Sequence, residues 1–260
     1  MSDYNITGRN YNYTRKADPY LIHLIRTMLN PKEGSTYLDI GCGTGNYTVA
    51  LSEDGTQFIG VDPSSVMLQE AKRKNANIIW TLGNAEHIPY KDQMFSGALA
   101  SLTLHHWSNL DRGFVEVYRT LKPKSNLVIF TATAEQMKNY WLNHYFPEMM
   151  NKSITQMPTL KAIINAAHNA GFKLSSRVEY FIKTDLQDLF LYSGKHNPAM
   201  YLDIAVRSNI SSFASLSNDM EIAQGLSRLS SDINNNHFRQ VKKSFDEKTG
   251  DYLIIEFSKD

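Results

Sequence analysis

The residues best placed to do chemistry come early in the chain. Tyr37-Leu38-Asp39-Ile40 is a short apolar run broken by one acid, and Gly41-Cys42-Gly43-Thr44-Gly45-Asn46 follows it. Ile59-Gly60-Val61 then leads to Asp62, 21 positions after Gly41. Glycines let a backbone approach a ligand closely where a strand turns into a helix. The helix that follows offers unpaired N–H groups to negative or polar ligand atoms. A carboxylate that ends the neighbouring strand accepts hydrogen bonds from both hydroxyls of a ribose. The pattern therefore points to a ribose-containing ligand at the carboxyl end of a parallel α/β sheet.

The glycine spacing narrows the ligand. The dinucleotide fingerprint places its third glycine three positions after the second. Here Gly45 comes two positions after Gly43, and Asn46 fills the dinucleotide slot. A phosphate-cradling loop needs Lys and then Ser or Thr after its last glycine, whereas Asn46-Tyr47 stands there. A second candidate lies at Ser101-Leu102-Thr103-Leu104-His105-His106-Trp107. His105 and His106 read either as a general base near neutral pH or as residues that shape the pocket. Zinc would need two further ligands, and no nearby Cys/His cluster supplies them. Cys42, inside the turn, reads as a small packing residue rather than a nucleophile.

The elements that must position these residues alternate along the chain. Asp18-Pro19 opens a helix as N-cap and first-turn proline, with Leu21, Leu24, Ile25, Met28 and Leu29 on one face. Strands are expected at 37–40, 57–62, 77–82, 95–104 and 127–131, with helices at 64–74 and 110–121 between them. Thr159 to Ala170 reads as a helix ended by Gly171. Strands six and seven are expected at 177–183 and 251–258. The alternation predicts a parallel sheet with right-handed crossovers.

The ordered motifs over residues 35 to 135 resemble the class I S-adenosylmethionine-dependent methyltransferases. Leu38 to Gly45 is similar to their first motif, and Val61 to Leu68 to their second strand and helix. Gly83-Asn84-Ala85-Glu86-His87-Ile88-Pro89-Tyr90 resembles their adenine-binding segment, with Asn84 in place of the usual Asp. Leu121-Lys122-Pro123-Lys124-Ser125 resembles the turn before their fifth strand, with Lys124-Ser125 in place of Gly-Gly. The resemblance implies a Rossmann-like α/β fold: a seven-stranded, mostly parallel sheet with its last strand antiparallel. It implies S-adenosylmethionine as cofactor, held by Arg15, Asp39, Gly41, Cys42, Gly43, Asp62, Pro63, Met67, Asn84, Ala85 and Ser101. Asp62 would hold the ribose. Asn84 and the Ala85 backbone would read adenine, with Met67 packed on it. Arg15 would pair with the cofactor carboxylate, while Tyr11 and Trp141 would line the acceptor site.

Three regions are expected. Residues 1–30 form an arm and helix over the cofactor. Residues 31–184 and 248–260 form the core. The polar, Asn- and Ser-rich residues 185–247 form a mainly helical cap inserted between strands six and seven. The chain has 260 residues, 42% of them hydrophobic, with 27 Lys plus Arg against 26 Asp plus Glu. That balance argues against nucleic acid and membrane surfaces as partners. It favours a small-molecule substrate over a tRNA or protein acceptor. A single cysteine, the absence of a signal-peptide pattern at 1–5 and the lack of a long apolar stretch lead to the expectation of a cytoplasmic protein. A monomer or homodimer is expected. A non-catalytic S-adenosylmethionine-binding module is the other class of function that fits these residues.

Overall fold

The computed structural model describes residues 15–52, 55–245 and 249–260. Seven strands form one sheet in the order β3-β2-β1-β4-β5-β7-β6. They are β1 (Thr36–Ile40), β2 (Gln57–Asp62), β3 (Ile79–Leu82), β4 (Phe95–Ser101), β5 (Leu121–Thr131), β6 (Lys173–Tyr180) and β7 (Tyr252–Lys259). β1 to β5 pair in parallel, and β7 runs antiparallel between β5 and β6. The parallel strands are those expected from the βαβ alternation, and the reversed last strand of seven is the one the family resemblance implies.

The helices around the sheet obey local rules. α1 (Pro19–Leu29) starts at Asp18, whose side chain accepts from the Leu21 N–H, and ends at left-handed Asn30. α2 (Asn46–Leu51) follows the glycine turn, and α3 (Ser65–Lys74) is capped by Ser64. α4 (Leu110–Thr120) is capped by Asn109, and α8 (Leu160–Asn169) by Thr159. Between α4 and α8 come β5 and the short helices α5 (Ala134–Lys138), α6 (Leu142–Tyr145) and α7 (Pro147–Gln156). Between β6 and β7 lie α9 (Ile204–Arg207), α10 (Asp219–Asn234) and α11 (Phe238–Ser244), among 3-10 and π turns.

Alternate side chains of each central strand enter different cores. Leu38, Ala98, Leu127 and Ile255 pack with Phe114 and Val117 of α4 and Ile163 of α8. Tyr37, Leu99, Val128 and Ile254 face Leu21 and Ile25 of α1 in the other core. That second cluster continues without a break through Tyr140, Trp141 and Phe146 to Tyr201, Phe213 and Phe238. The helices after β5 and those after β6 thus share one apolar core on one face of the sheet. Among the described residues, no helix is long and apolar enough to cross a membrane.

Several strand ends depart from the sequence expectation. β4 stops at Ser101 instead of 104, because Leu102 takes a left-handed φ of 51° and turns the chain into a 3-10 turn at Leu104–His106. β5 begins at Leu121, six residues early, since Leu121 already pairs with Phe95 across a bulge. β6 spans Lys173–Tyr180 rather than 177–183. It is an edge strand whose first seven residues stay partly or fully exposed, so it lacks the apolar signature of the inner strands.

α10 docks closely on α6. Arg228 Nη2 donates to the Tyr145 carbonyl at 3.0 Å, and Tyr145 donates to Asp232 Oδ2 at 2.9 Å. Gly225 makes the approach possible: a Cβ there would lie 2.4 Å from the Phe146 ring and 2.6 Å from the Tyr145 carbonyl oxygen. Gly225→Ala raises helix propensity by about 1 kcal/mol. The backbone clash outweighs this, and a net loss of about 1–3 kcal/mol is expected. Urea unfolding measures it; a more stable variant would contradict this packing.

Candidate active site

The site is built where three loops meet at the carboxyl ends of β1, β2 and β4. Gly41 and Cys42 both donate to the Val61 carbonyl, at 2.8 and 3.1 Å, which continues the β1–β2 ladder into the turn. Asp62 ends β2 and is 8% exposed. Its Oδ2 accepts from the Gly43 N–H and its Oδ1 from the Ser64 N–H, both at 2.8 Å. Burial raises its pKa above the usual carboxylate value, while the two N–H donors pull it back. Each carboxylate oxygen has a second lone pair, so two acceptors stay available for the hydroxyls of a ribose.

The three turn glycines serve different ends. All have positive φ, where side chains are strained. A Cβ on Gly41 would meet Thr103 Oγ1 at 2.0 Å, and one on Gly45 would meet the Trp80 ring at 2.3 Å. Those spaces are filled by the protein itself. A Cβ on Gly43 would meet nothing within 4 Å. The open face of the turn is therefore at Gly43, beside Asp62, and that cradle fits the polar body of the cofactor the motifs imply.

Asp39 lies beneath this surface. It is 2% exposed and accepts from Thr48 Oγ1 at 2.6 Å, which ties β1 to α2. Burial, offset partly by Thr48 and helped by nearby Asp62, pushes its carboxyl up to about 7. Burial, Asp39 and Asp62 push the Cys42 thiol well up as well, so it stays protonated at neutral pH and is a poor nucleophile.

The segment expected to read adenine is clamped from α4. Asn84 is exposed and Ala85 buried. Arg112 Nε donates to the Glu86 carbonyl, and Arg119 donates to the carbonyls of Ile88 and Tyr90, at 2.8 to 3.0 Å. Glu116 accepts from the Ile88 N–H and pairs with Arg119, which lowers the pKa of its carboxyl. Sequence reasoning missed these supports. The three-residue spacing of Glu116 and Arg119 on one helix face was the available signal. Met67 is buried in the first turn of α3, Pro63 is exposed, and Ser101 is half-buried at the end of β4.

Thr103, the residue that fills the Gly41 notch, sits two positions before His105. The rings of His105 and His106 lie 3.9 Å apart. Burial lowers the His105 pKa to about 3, with His106 contributing, and lowers that of His106 to about 4. His105 Nδ1 is buried and has no hydrogen-bond partner among the described residues. Such an atom costs about 1–3 kcal/mol. Among the described residues, no group of three metal-ligating side chains comes together.

Two expected ligand contacts have different surroundings. Arg15 pairs with Asp188, a partner the sequence did not suggest. Trp141 is fully buried against Tyr145, Tyr192, Tyr201 and Phe238, and its indole N–H donates to the Lys195 carbonyl at 3.4 Å. That packing gives it a core role rather than a place on the acceptor wall. Tyr11 lies outside the described residues. Two open clefts lie elsewhere. One, of about 330 Å³, is at the amino end of the strands beside Tyr37 and Lys122, and another flanks Arg228 on α10. Neither touches the glycine turn, so the geometry of the turn itself defines the site.

A carboxyl raised from 3.8 to about 7 binds its proton more tightly folded than unfolded. Its stabilisation is complete below pH 3.8 and is lost as the pH rises through 7. Asp39→Asn keeps an acceptor for Thr48 and removes this loss. Its stability relative to the unsubstituted protein should therefore climb between pH 4 and pH 8, by at most roughly 4 kcal/mol. Chemical denaturation at both pH values checks this, and a difference that does not vary with pH would refute it.

Comparison with known proteins supports the same reading. A family model described as a methyltransferase domain matches residues 38–129. A demethylmenaquinone methyltransferase of Corynebacterium kroppenstedtii is 28% identical over 131 residues, 48% of this chain and 56% of that protein. The match thus spans little more than half of that curated relative. A solved structure from Anabaena variabilis ATCC 29413, described as a "putative methyltransferase from antibiotic biosynthesis pathway", is 32% identical. It covers 94% of this chain and 99% of its own, with a TM-score of 0.85. The [4+2]-cyclase SpnF, 19% identical with a TM-score of 0.59 over 92% of this chain and 80% of its own, shares the fold. With its strand order, its glycine turn and a full-length relative of this similarity, the chain belongs to the class I S-adenosylmethionine-dependent methyltransferases.

Proposed function

We propose that this chain transfers a methyl group from S-adenosylmethionine to a small-molecule acceptor. The observation that carries the reading is the open cradle at Gly43 beside an Asp62 carboxylate already fixed by two backbone donors. Asp62 would take the ribose hydroxyls, the clamped Asn84–Ala85 segment the adenine edge, and the β4 turn would border the reacting end. The cofactor supplies a sulfonium-activated methyl group when bound. What the chain must then provide is alignment of the acceptor and exclusion of water.

A small molecule suits the near-neutral charge, 27 basic against 26 acidic residues, better than a nucleic acid. The C. kroppenstedtii relative is named for demethylmenaquinone, also a small molecule. Because one fold serves unrelated chemistries, as a cyclase with this fold illustrates, turnover has to be measured directly. Calorimetry should show binding of S-adenosylhomocysteine and no comparable binding of NAD. Asp62→Ala should weaken the former by about tenfold or more, since hydrogen bonds to a carboxylate contribute about 1.5–3 kcal/mol each. Transfer of labelled methyl groups from S-adenosylmethionine to a metabolite extract then identifies the acceptor; comparable NAD affinity would overturn the reading.

The two histidines are pocket residues in this reading. With pKa values of about 3 and 4, both imidazoles are neutral across neutral pH and are weak bases. Replacing either with Asn should lower turnover and cofactor affinity together, with no inflection between pH 6 and 7 in the turnover profile. A loss of roughly 10²-fold in turnover at unchanged cofactor affinity, the size of a general-base contribution, would reverse the assignment.

A further inference from the structure

Lys124-Ser125 stands where the related turn carries Gly-Gly, and the structure gives that departure a consequence. Lys124 takes a left-handed φ of 62°. Glycine occupies that region freely, whereas a lysine there is strained. The strained lysine lines the cleft of about 330 Å³ at the amino ends of β1 and β4 and the start of β5. Lys122, two residues earlier, and Lys32, just past α1, line the same cleft. Three ammonium-bearing side chains from two distant segments thus share one concave surface.

The charges of this cleft are not balanced from within. Lys32 Nζ meets only the neutral Asn30 Oδ1, at 3.0 Å, and Lys122 Nζ only Ser96 Oγ, at 3.2 Å. Among the described residues, none of the three lysines is in an ion pair, and no Asp or Glu lines the cleft. Two acids border the region and are engaged elsewhere. Glu256 accepts from Asn126 Nδ2 and Ser176 Oγ, both at 2.8 Å, and Glu33 lies against Gly55. Set against three lysines, these two carboxylates still leave a positive excess. The carbonyl end of α1 also reaches the cleft and would repel an anion. Two of its acceptors are already occupied: the Arg26 carbonyl by the Asn30 N–H at 2.8 Å, and the Met28 carbonyl by Asn126 Nδ2 at 3.2 Å.

We propose that this cleft is a second ligand site, apart from the glycine turn, that takes a small molecule bearing a phosphate or diphosphate group. Lysine ammonium groups bind phosphate as point charges with rotatable donors, and the Ser35 and Ser96 hydroxyls on the lining add neutral donors. The volume is that of a small-molecule site. The five residues of β1, about 17 Å of strand, separate the cleft from the glycine turn, so both sites can be filled at once. The inference uses no residue of the glycine turn and stands apart from the methyltransferase reading.

Calorimetry on the full chain tests this with inorganic pyrophosphate as the probe, with and without excess S-adenosylhomocysteine. Saturable binding that S-adenosylhomocysteine does not displace is expected. Lys32→Ala and Lys124→Gly should each weaken it by about tenfold or more. Lys124→Gly also relieves the left-handed strain, so its urea midpoint should not fall, which separates lost binding from lost folding. Lys161→Ala, at an exposed lysine of α8, should change the affinity by less than about twofold. The inference is overturned if no saturable binding occurs up to about 1 mM, or if S-adenosylhomocysteine displaces the probe. It is also overturned if Lys32→Ala and Lys124→Gly weaken binding no more than Lys161→Ala does.

Discussion

The contact on which the site depends is the Asp62 carboxylate shared between two backbone N–H groups. One comes from the glycine turn after β1 and the other from the start of α3 after β2. A carboxylate this buried would be costly without donors. With them it locks two loops from adjacent strands into one rigid shelf. Gly43 can then face open space while its own N–H is satisfied from below. The shelf and the proposed ribose acceptor are the same side chain, so in that reading the binding surface is formed before any ligand arrives.

The neighbouring elements refine that shelf by filling what must not be open. Thr103 closes the notch at Gly41, and Trp80 lies against both Gly45 and Gly60. Trp80 is fixed in turn by its indole N–H on the Asn75 carbonyl, at 2.8 Å. The β4 turn that delivers Thr103 carries the left-handed Leu102. Bulky residues occupy that conformation at a cost of order 1–3 kcal/mol, and such strain gathers at functional sites. Here the turn redirects the chain so that Thr103 meets Gly41 and His105 and His106 leave the strand in a 3-10 turn.

The helical layer over one face is held by aromatic packing with a few buried carboxylates as rivets. Tyr140 and Tyr192 stack at 3.9 Å, and the Trp141 ring is ringed by other aromatic side chains. Asp251 accepts from the Ile182 N–H and from Lys195, which ties the start of the stretch between β6 and β7 to its end. Asp188 and Asp18 tie its start to the residues before α1. The layer thus combines apolar burial, which is non-directional, with ion pairs that set its register over the site.

Much of this was legible in the sequence because it depends on local chemistry. Asp18-Pro19 and Thr159 cap their helices as their residue types dictate, and alternating apolar strands and amphipathic helices fix a parallel sheet. Gly41 to Gly45 with Asp62 announced the ligand class, since only those residue types make that turn. Other features have no local signature. The end of β4 depends on Leu102 being forced left-handed, and β6 is an exposed edge whose partner alone makes it a strand. Trp141 reads as a ligand-facing aromatic until its four aromatic neighbours, from Tyr145 to Phe238, are known. The pairing of Arg15 with Asp188 spans 173 positions. Sequence periodicity carries no trace of such a contact. It arises only when the sheet brings the carboxyl ends of distant strands to one edge, and there the tertiary structure alone decided which charge meets which.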